Sequence, residues 1–194
     1  MRKLYRVCVQ NNGHMPEKLD FITPTFLRVL YLFHENPLQE MHEREVVRRA
    51  KISKGSANEI LKQLSEVHIL ERNRKGRMVF YRLNLRNAVA RQFKILLNVY
   101  SLNKFVESAM PICKEIILFG SCSKGIDTEE SDIDIFVLTN EKDKVRSELN
   151  ACQKKIGRKI SPIIVNSNEY AKLRKNDKPL YERILKGITL WESE

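Results

Sequence analysis

The segment SDIDIFVLT, residues 131–139, sets two carboxylates, Asp132 and Asp134, one residue apart at the head of an apolar run. Its alternation reads as a strand, so the two aspartates share one face while Ile133, Ile135 and Val137 fill the other. Ionised carboxylates side by side on such a strand repel each other, and their burial is costly unless a cation lies between them. A divalent magnesium or manganese ion meets that need: it takes hard oxygen ligands, uses one or two carboxylates, and completes its shell with water and phosphate oxygens. The plainer alternative is a capped turn leading into a surface strand.

What precedes the pair points the same way. KEIILFG reads as a short apolar strand, ended by Gly120 and Ser121, and SCSKGI as a helix start or tight loop. Small residues at such a junction let backbone N–H groups approach a phosphate, and Lys124 adds a point charge. The whole pattern is Gly-Ser-x-x-x-Gly-x-x-x-x-x-Ser-Asp-Ile-Asp, carried by Gly120, Ser121, Gly125, Ser131, Asp132 and Asp134. It resembles the nucleotidyltransferase superfamily, related to the catalytic module of DNA polymerase beta, and especially its minimal single-domain members. The likeness extends to LYERILKGITLW, which looks like the closing helix, glycine cap and last strand of such domains. The resemblance implies nucleotidyl transfer from a nucleoside triphosphate, with Gly120, Ser121, Lys124 and Ser131 at the nucleotide. Asp132 and Asp134 are then the catalytic metal ligands, holding two ions that act on an in-line attack. It also implies a setting in toxin–antitoxin pairs, with a partner protein as acceptor. One feature departs from the family: the third carboxylate expected on a later strand, KISPIIVN, falls at Ser161 or Pro162. Glu169 and Glu182 are the acids left to substitute for it.

The N-terminal half is a different device. Residues 1–110 carry 20 basic and 10 acidic side chains, against 15 and 14 in residues 111–194, within a net charge of +11. TPTFLRVLYLF reads as a helix with Thr23 as N-cap and Pro24 at its first position, and HEREVVRRA as a second. SKGSANEILKQLSEVHIL reads as a third, capped by Ser53, with Ala57, Ile60, Leu61 and Leu64 facing inward. ERNRKGRMVFYRLN follows as a hairpin with a basic tip. Three helices and a basic hairpin resemble the winged helix-turn-helix of bacterial and archaeal transcriptional regulators. Such a module presents the start of its third helix to the major groove and its wing to phosphates. The candidate DNA contacts are therefore Ser53, Lys54, Ser56, Asn58 and Lys62 on the helix, and Arg72, Arg74, Lys75 and Arg77 on the hairpin. The alternative is a solvated charged face on a protein-binding module; the surplus of positive charge favours double-stranded DNA.

The expected fold class is thus α+β: a winged helix-turn-helix at 20–85, a connecting helix at 86–110 and a minimal nucleotidyltransferase domain with a mixed sheet at 111–194. The connecting helix carries an apolar stripe, Val89, Phe93, Leu96, Leu97 and Tyr100, that either packs on its own domains or pairs with a second copy, making a homodimer. No apolar run approaches the roughly 20 residues of a membrane helix, and no apolar stretch follows the basic start MRKLYRVCVQ, so no membrane role and a cytoplasmic location are expected. Cys8, Cys113, Cys122 and Cys152 form no metal-binding or disulfide pattern and read as free thiols. Two further functions compete with the enzyme: a DNA-binding regulator whose degenerate second domain only binds nucleotide, and a C-terminal assembly module.

Overall fold

A computed structural model of the chain describes residues 22–193. The polar opening, Cys8 and the first residues of the expected N-terminal domain lie outside the described residues. The architecture is α+β, two sheets joined through one long helix. The N-terminal unit runs α1 (Pro24–Glu35), β1 (Met41–His42), α2 (Glu43–Ala50), α3 (Lys54–Glu66), β2 (Leu70–Lys75) and β3 (Met78–Leu83). Its antiparallel sheet has the order β1-β3-β2.

Local chemistry explains these bounds. Thr23 accepts a hydrogen bond from the Phe26 amide at 3.2 Å and Pro24 fills the position that needs no N–H. Ser53 caps α3 through the Ser56 amide at 3.1 Å. The sequence reading carries this helix on through VHIL. It stops at Glu66 instead, because His68 adopts a left-handed φ of 58° and Ile69 and Leu70 turn into the hairpin. Lys75 pairs with Met78 across a two-residue turn in which Gly76 has φ 62°, a conformation glycine adopts without penalty. Phe26, Val29, Leu30 and Phe33 of α1, with Leu61 and Leu64 of α3, fill the core of this unit.

α4 (Ala88–Ala109) extends roughly 33 Å. It buries Ala90, Lys94, Asn98, Leu102, Phe105 and Ala109, whereas Val89, Leu96 and Tyr100 of the anticipated apolar stripe are exposed. The helix is therefore rotated from the expected orientation: a lysine and an asparagine face inward, and Tyr100 is 75% exposed. The reason is Asp127, a buried carboxylate that Lys94 and Asn98 both reach.

The second sheet has the order β6-β5-β4-β7. β4 (Cys113–Phe119) and β5 (Ile133–Thr139) form an antiparallel pair, α5 (Lys142–Ile156) crosses over to the parallel β6 (Ile160–Val165), and α6 (Ser167–Asn176) and α7 (Lys178–Leu185) lead to β7 (Ile188–Glu192) on β4. Pro162 lies on β6, an edge strand, where a missing N–H is tolerated. Alternation splits the strand residues cleanly. Ile116, Leu118, Ile133, Ile135 and Val137 form one core, with Leu102 and Phe105 of α4 and Val145 and Leu149 of α5. Ile117, Phe119 and Phe136 pack on the other face with Ile184, Tyr170 and Leu180 of α6 and α7. Cys113, Cys122 and Cys152 are free and buried. No described helix is long and apolar enough to cross a membrane.

His34, at the end of α1, is 9% exposed and its Nδ1 has no hydrogen-bond partner. Burial first, then the nearby Lys94 and Arg158 charges, drive its pKa down to about 4, against an opposing pull from Asp127. A base whose folded pKa lies below its unfolded value adds stability above the unfolded pKa and loses it as pH falls towards the folded one. Unfolding free energy should therefore drop by about 3 kcal/mol between roughly pH 6.5 and 4 on account of His34. Denaturant titrations across that range check this: His34→Phe should flatten the profile, and an unchanged profile would remove His34 as the cause.

Candidate functional site

The segment 120–132 joins β4 to β5 and carries most of the expected chemistry. It opens at Gly120, whose φ is 73°. A Cβ there would lie 2.1 Å from Asp134 Oδ2, so only glycine lets the loop backbone come down onto the carboxylate. The expected helix start after Ser121 is a single 3-10 turn, Cys122–Lys124, closed by Gly125 in the left-handed region. This is the tight-loop alternative. Gly125 is also constrained: its Cβ would fall 2.3 Å from the Arg91 carbonyl on α4.

The structure places the predicted residues unequally. Gly120 lies directly against Asp134. Asp132 precedes β5 and is approached by Lys159, whose Nζ lies 2.6 Å from its Oδ2. Asp134 is half-buried, and its pKa is raised by burial and by the Asp132 charge, while Arg183 opposes the rise. Arg183 belongs to α7 and stands 5.8 Å from the ring centre of Phe119, the residue paired with Asp134 across β4 and β5. Ser121 follows Gly120 directly; its carbonyl accepts from the Lys124 and Ile126 amides. Lys124 is exposed at the end of the turn. Ser131 is engaged in the loop itself, its hydroxyl accepting from the Thr128 amide at 3.0 Å.

Strand register fixes the expected location of the third acid. β6 runs parallel to β5 with Asp134 beside Ser161 and Ile135 beside Pro162. Neither substitute approaches. Glu169 closes a capping box at the start of α6, accepting from the Asn166 amide at 2.8 Å, and pairs with Lys142. Glu182 is exposed on α7, 3.9 Å from Lys178. Among the described residues no three acids, histidines or cysteines gather as a metal cluster. The donors present are two carboxylates of hard oxygen character at one strand end, which suits one divalent ion.

Sequence reasoning missed the group that holds this loop. Asp127 is fully buried. Its Oδ2 accepts from Lys94 Nζ at 3.0 Å and from Arg158 at 3.0 Å, and its Oδ1 from Asn98 Nδ2 at 2.9 Å. Arg158 also donates to the Ser131 carbonyl at 2.9 Å, Asn98 to the Cys122 carbonyl at 3.1 Å, and Lys94 to the His34 carbonyl at 3.2 Å. Burial alone would push the Asp127 carboxyl up; Lys94, the Asn98 amide and Arg158 outweigh it and hold it below its ordinary value. The same neighbourhood, burial foremost, lifts the Cys122 thiol to about 11 and keeps it protonated. The one available signal was Lys94 and Asn98 recurring on the α4 face that continues through Leu102, Phe105 and Ala109.

The predicted DNA-facing residues occupy two exposed regions. Ser53 and Ser56 share a hydroxyl contact at 2.9 Å in the α3 cap, and Lys54, Asn58 and Lys62 are exposed along that helix. On the hairpin, Arg72 and Arg77 are exposed, Arg74 donates to the Gly76 carbonyl at 3.1 Å, and Lys75 is paired with Glu40. No hydrogen bond or ion pair joins the two sets among the described residues.

Residues 99–189 match the family model of the nucleotidyltransferase domain. Comparison with curated proteins gives no match. Solved structures similar to the chain include the toxin–antitoxin MntA–HpeT mutant, 23% identical over 50% of this chain and 74% of that one, with a TM-score of 0.37. A toxin–antitoxin structure with AMP-PNP is 24% identical over 50% and 75%, with a TM-score of 0.34. A mutant of ZitR from Lactococcus lactis is 16% identical over 77% and 84%, with a TM-score of 0.37.

Asp127→Ala should lower the unfolding free energy by about 3–5 kcal/mol, because it leaves buried cations unpaired. Lys94→Met combined with Asp127→Leu should cost less than that single change, since it removes the fully buried ammonium and refills its space, leaving only Arg158, which is 20% exposed and keeps its bond to the Ser131 carbonyl. Urea denaturation of the three proteins checks this; a double variant as damaged as Asp127→Ala would contradict it.

Proposed function

We propose that the chain binds a nucleoside triphosphate with magnesium or manganese and transfers its nucleotidyl group to an acceptor hydroxyl. The observation that carries this reading is the close approach of the Gly120 backbone to the Asp134 carboxylate, directly ahead of Ser121. Phosphate-binding backbone and metal-binding carboxylates must meet at one point for a metal–triphosphate to be gripped, and here only a glycine lets them do so. Asp132 and Asp134 hold the cation, which supplies charge neutralisation at the phosphates when bound. Gly120 and Ser121 orient the phosphates, with Lys124 at the rim. Ser131 supports the site by closing the loop. The acceptor oxygen displaces pyrophosphate at the α-phosphorus, and a protein hydroxyl is the acceptor class that the sequence resemblance implies.

In this reading residues 20–85 form a winged helix-turn-helix that binds double-stranded DNA through α3 and the hairpin, 86–110 a connector, and 111–194 the transferase unit. The support is the basic surplus of the N-terminal half together with the exposure of Lys54, Asn58, Arg72 and Arg77. The exposed α4 residues Leu96 and Tyr100 suit pairing of two copies. A second reading, a DNA-binding regulator that senses nucleotide without transferring it, is favoured by one observation: Ser161, not an acid, stands beside Asp134.

Incubation with α-labelled ATP, magnesium and candidate acceptors separates the two: covalent label marks the transferase, and nucleotide binding without label the sensor. Asp132→Asn and Asp134→Asn should each abolish metal-dependent binding of a non-hydrolysable ATP analogue, measured by calorimetry. Gly120→Ala should weaken it at least tenfold; full binding by these variants would refute the site. On a selected duplex, Arg74→Ala with Lys75→Ala should weaken binding and lower the slope of log affinity against log salt by about one to two. An unchanged slope would place the hairpin away from phosphate.

A further inference from the structure

The resemblance to two-ion transferases and the donor set found here disagree, and the residues at the point of disagreement are specific. Ser161 stands beside Asp134 in parallel register. Two positions earlier, Lys159 is pinned beside Asp132: its carbonyl accepts from the Ile133 amide at 2.9 Å, and its ammonium contacts Asp132 Oδ2 at 2.6 Å. The edge of the site formed by β6 and the residue before it therefore offers a hydroxyl and an ammonium in place of an acid. An ion there would lack an anionic ligand from β6 and would meet the positive charge of Lys159, whereas Asp132 and Asp134 together suit a single hydrated cation.

We propose that this site takes its nucleotide with one divalent cation, and that Lys159 supplies the positive charge on the β6 side that a second ion would otherwise supply. The proposal rests on the nucleotide-binding reading above and adds Lys159 to it as a nucleotide-contacting residue. Before nucleotide binds, the ammonium balances Asp132. When the cation takes over that carboxylate, the ammonium is released to phosphate oxygens entering the same space. Its backbone is held by the Ile133 amide, while its side chain, 72% exposed and bonded to the very carboxylate that the cation takes over, has the freedom to make that change. Arg183, beside Asp134 over the Phe119 ring, places a second organic cation at the same mouth. The site thus balances a triphosphate with one metal ion and side-chain cations.

The test counts manganese by electron paramagnetic resonance in the presence of saturating α,β-methylene-ATP, a probe that the protein does not turn over. The wild-type chain should hold one Mn2+ per protein–nucleotide complex. Ser161→Asp combined with Lys159→Ala should raise the count to two. Lys159→Gln alone should weaken analogue affinity about tenfold while leaving the count at one, and Lys159→Arg should restore affinity. Two ions in the wild type, or unaltered affinity in Lys159→Gln, overturns the proposal even where nucleotide binding itself is intact. A wild-type chain that binds neither Mn2+ nor the analogue overturns the site reading as a whole, which is a distinct result. The wild-type count does not depend on any variant folding.

Discussion

The buried carboxylate of Asp127 is the interaction on which the arrangement of this chain turns. It lies inside the loop between two neighbouring strands and is met by one cation from α4, one from the turn before β6 and one amide from α4. Replacing the water around an ionised carboxylate requires several well-aligned donors, and a buried ion pair left incomplete is worse than none. Every donor here also bonds a second part of the chain: Lys94 the end of α1, Asn98 the turn after Ser121, Arg158 the backbone just ahead of Asp132. Satisfying one side chain thereby locates the loop, the connector and the end of the first helix relative to one another. The orientation of α4 follows, because Lys94 and Asn98 must point inward even though this leaves Leu96 and Tyr100 in solvent.

Around that anchor, strand periodicity does the rest. The face of β5 that carries Ile133, Ile135 and Val137 packs under α4 and α5, which leaves Asp134 and Phe136 to the side covered by α6 and α7. The helices on that side contribute more than cover. Gly187, between α7 and β7, has no room for a Cβ, which would meet the Leu118 carbonyl at 2.5 Å. That close packing holds the end of α7, and with it Arg183, at the strand end where the two aspartates lie.

Much of this could be read from the residues in order. The caps Thr23 and Ser53 and the apolar strands flanking the loop are local properties, fixed by periodicity and by hydrogen bonds within a few residues. The spacing from Gly120 to Asp134 pointed to the candidate site for the same reason. What escaped was long-range. Lys94 and Asp127 are separated by 33 positions and Asp127 and Arg158 by 31, and each looks like an ordinary solvated charge until its partner is known. The end of α3 was misjudged because VHIL continues an apolar pattern, while the left-handed turn at His68 is imposed by the hairpin that follows. Pattern left Ser161 and Pro162 as equal candidates for the place level with the aspartates, and strand register sets Ser161 beside Asp134.

The seam between the N-terminal unit and the second sheet is polar where Lys94 reaches the carbonyl of His34. An oily joint would resist separation by the full cost of wetting it. Here a displacement of the first helix would take a carbonyl away from an ammonium that buried Asp127 still holds, leaving Lys94 one acceptor short inside the fold. Tilting of the first helix would therefore be felt at the loop as a change in the company kept by a single carboxylate.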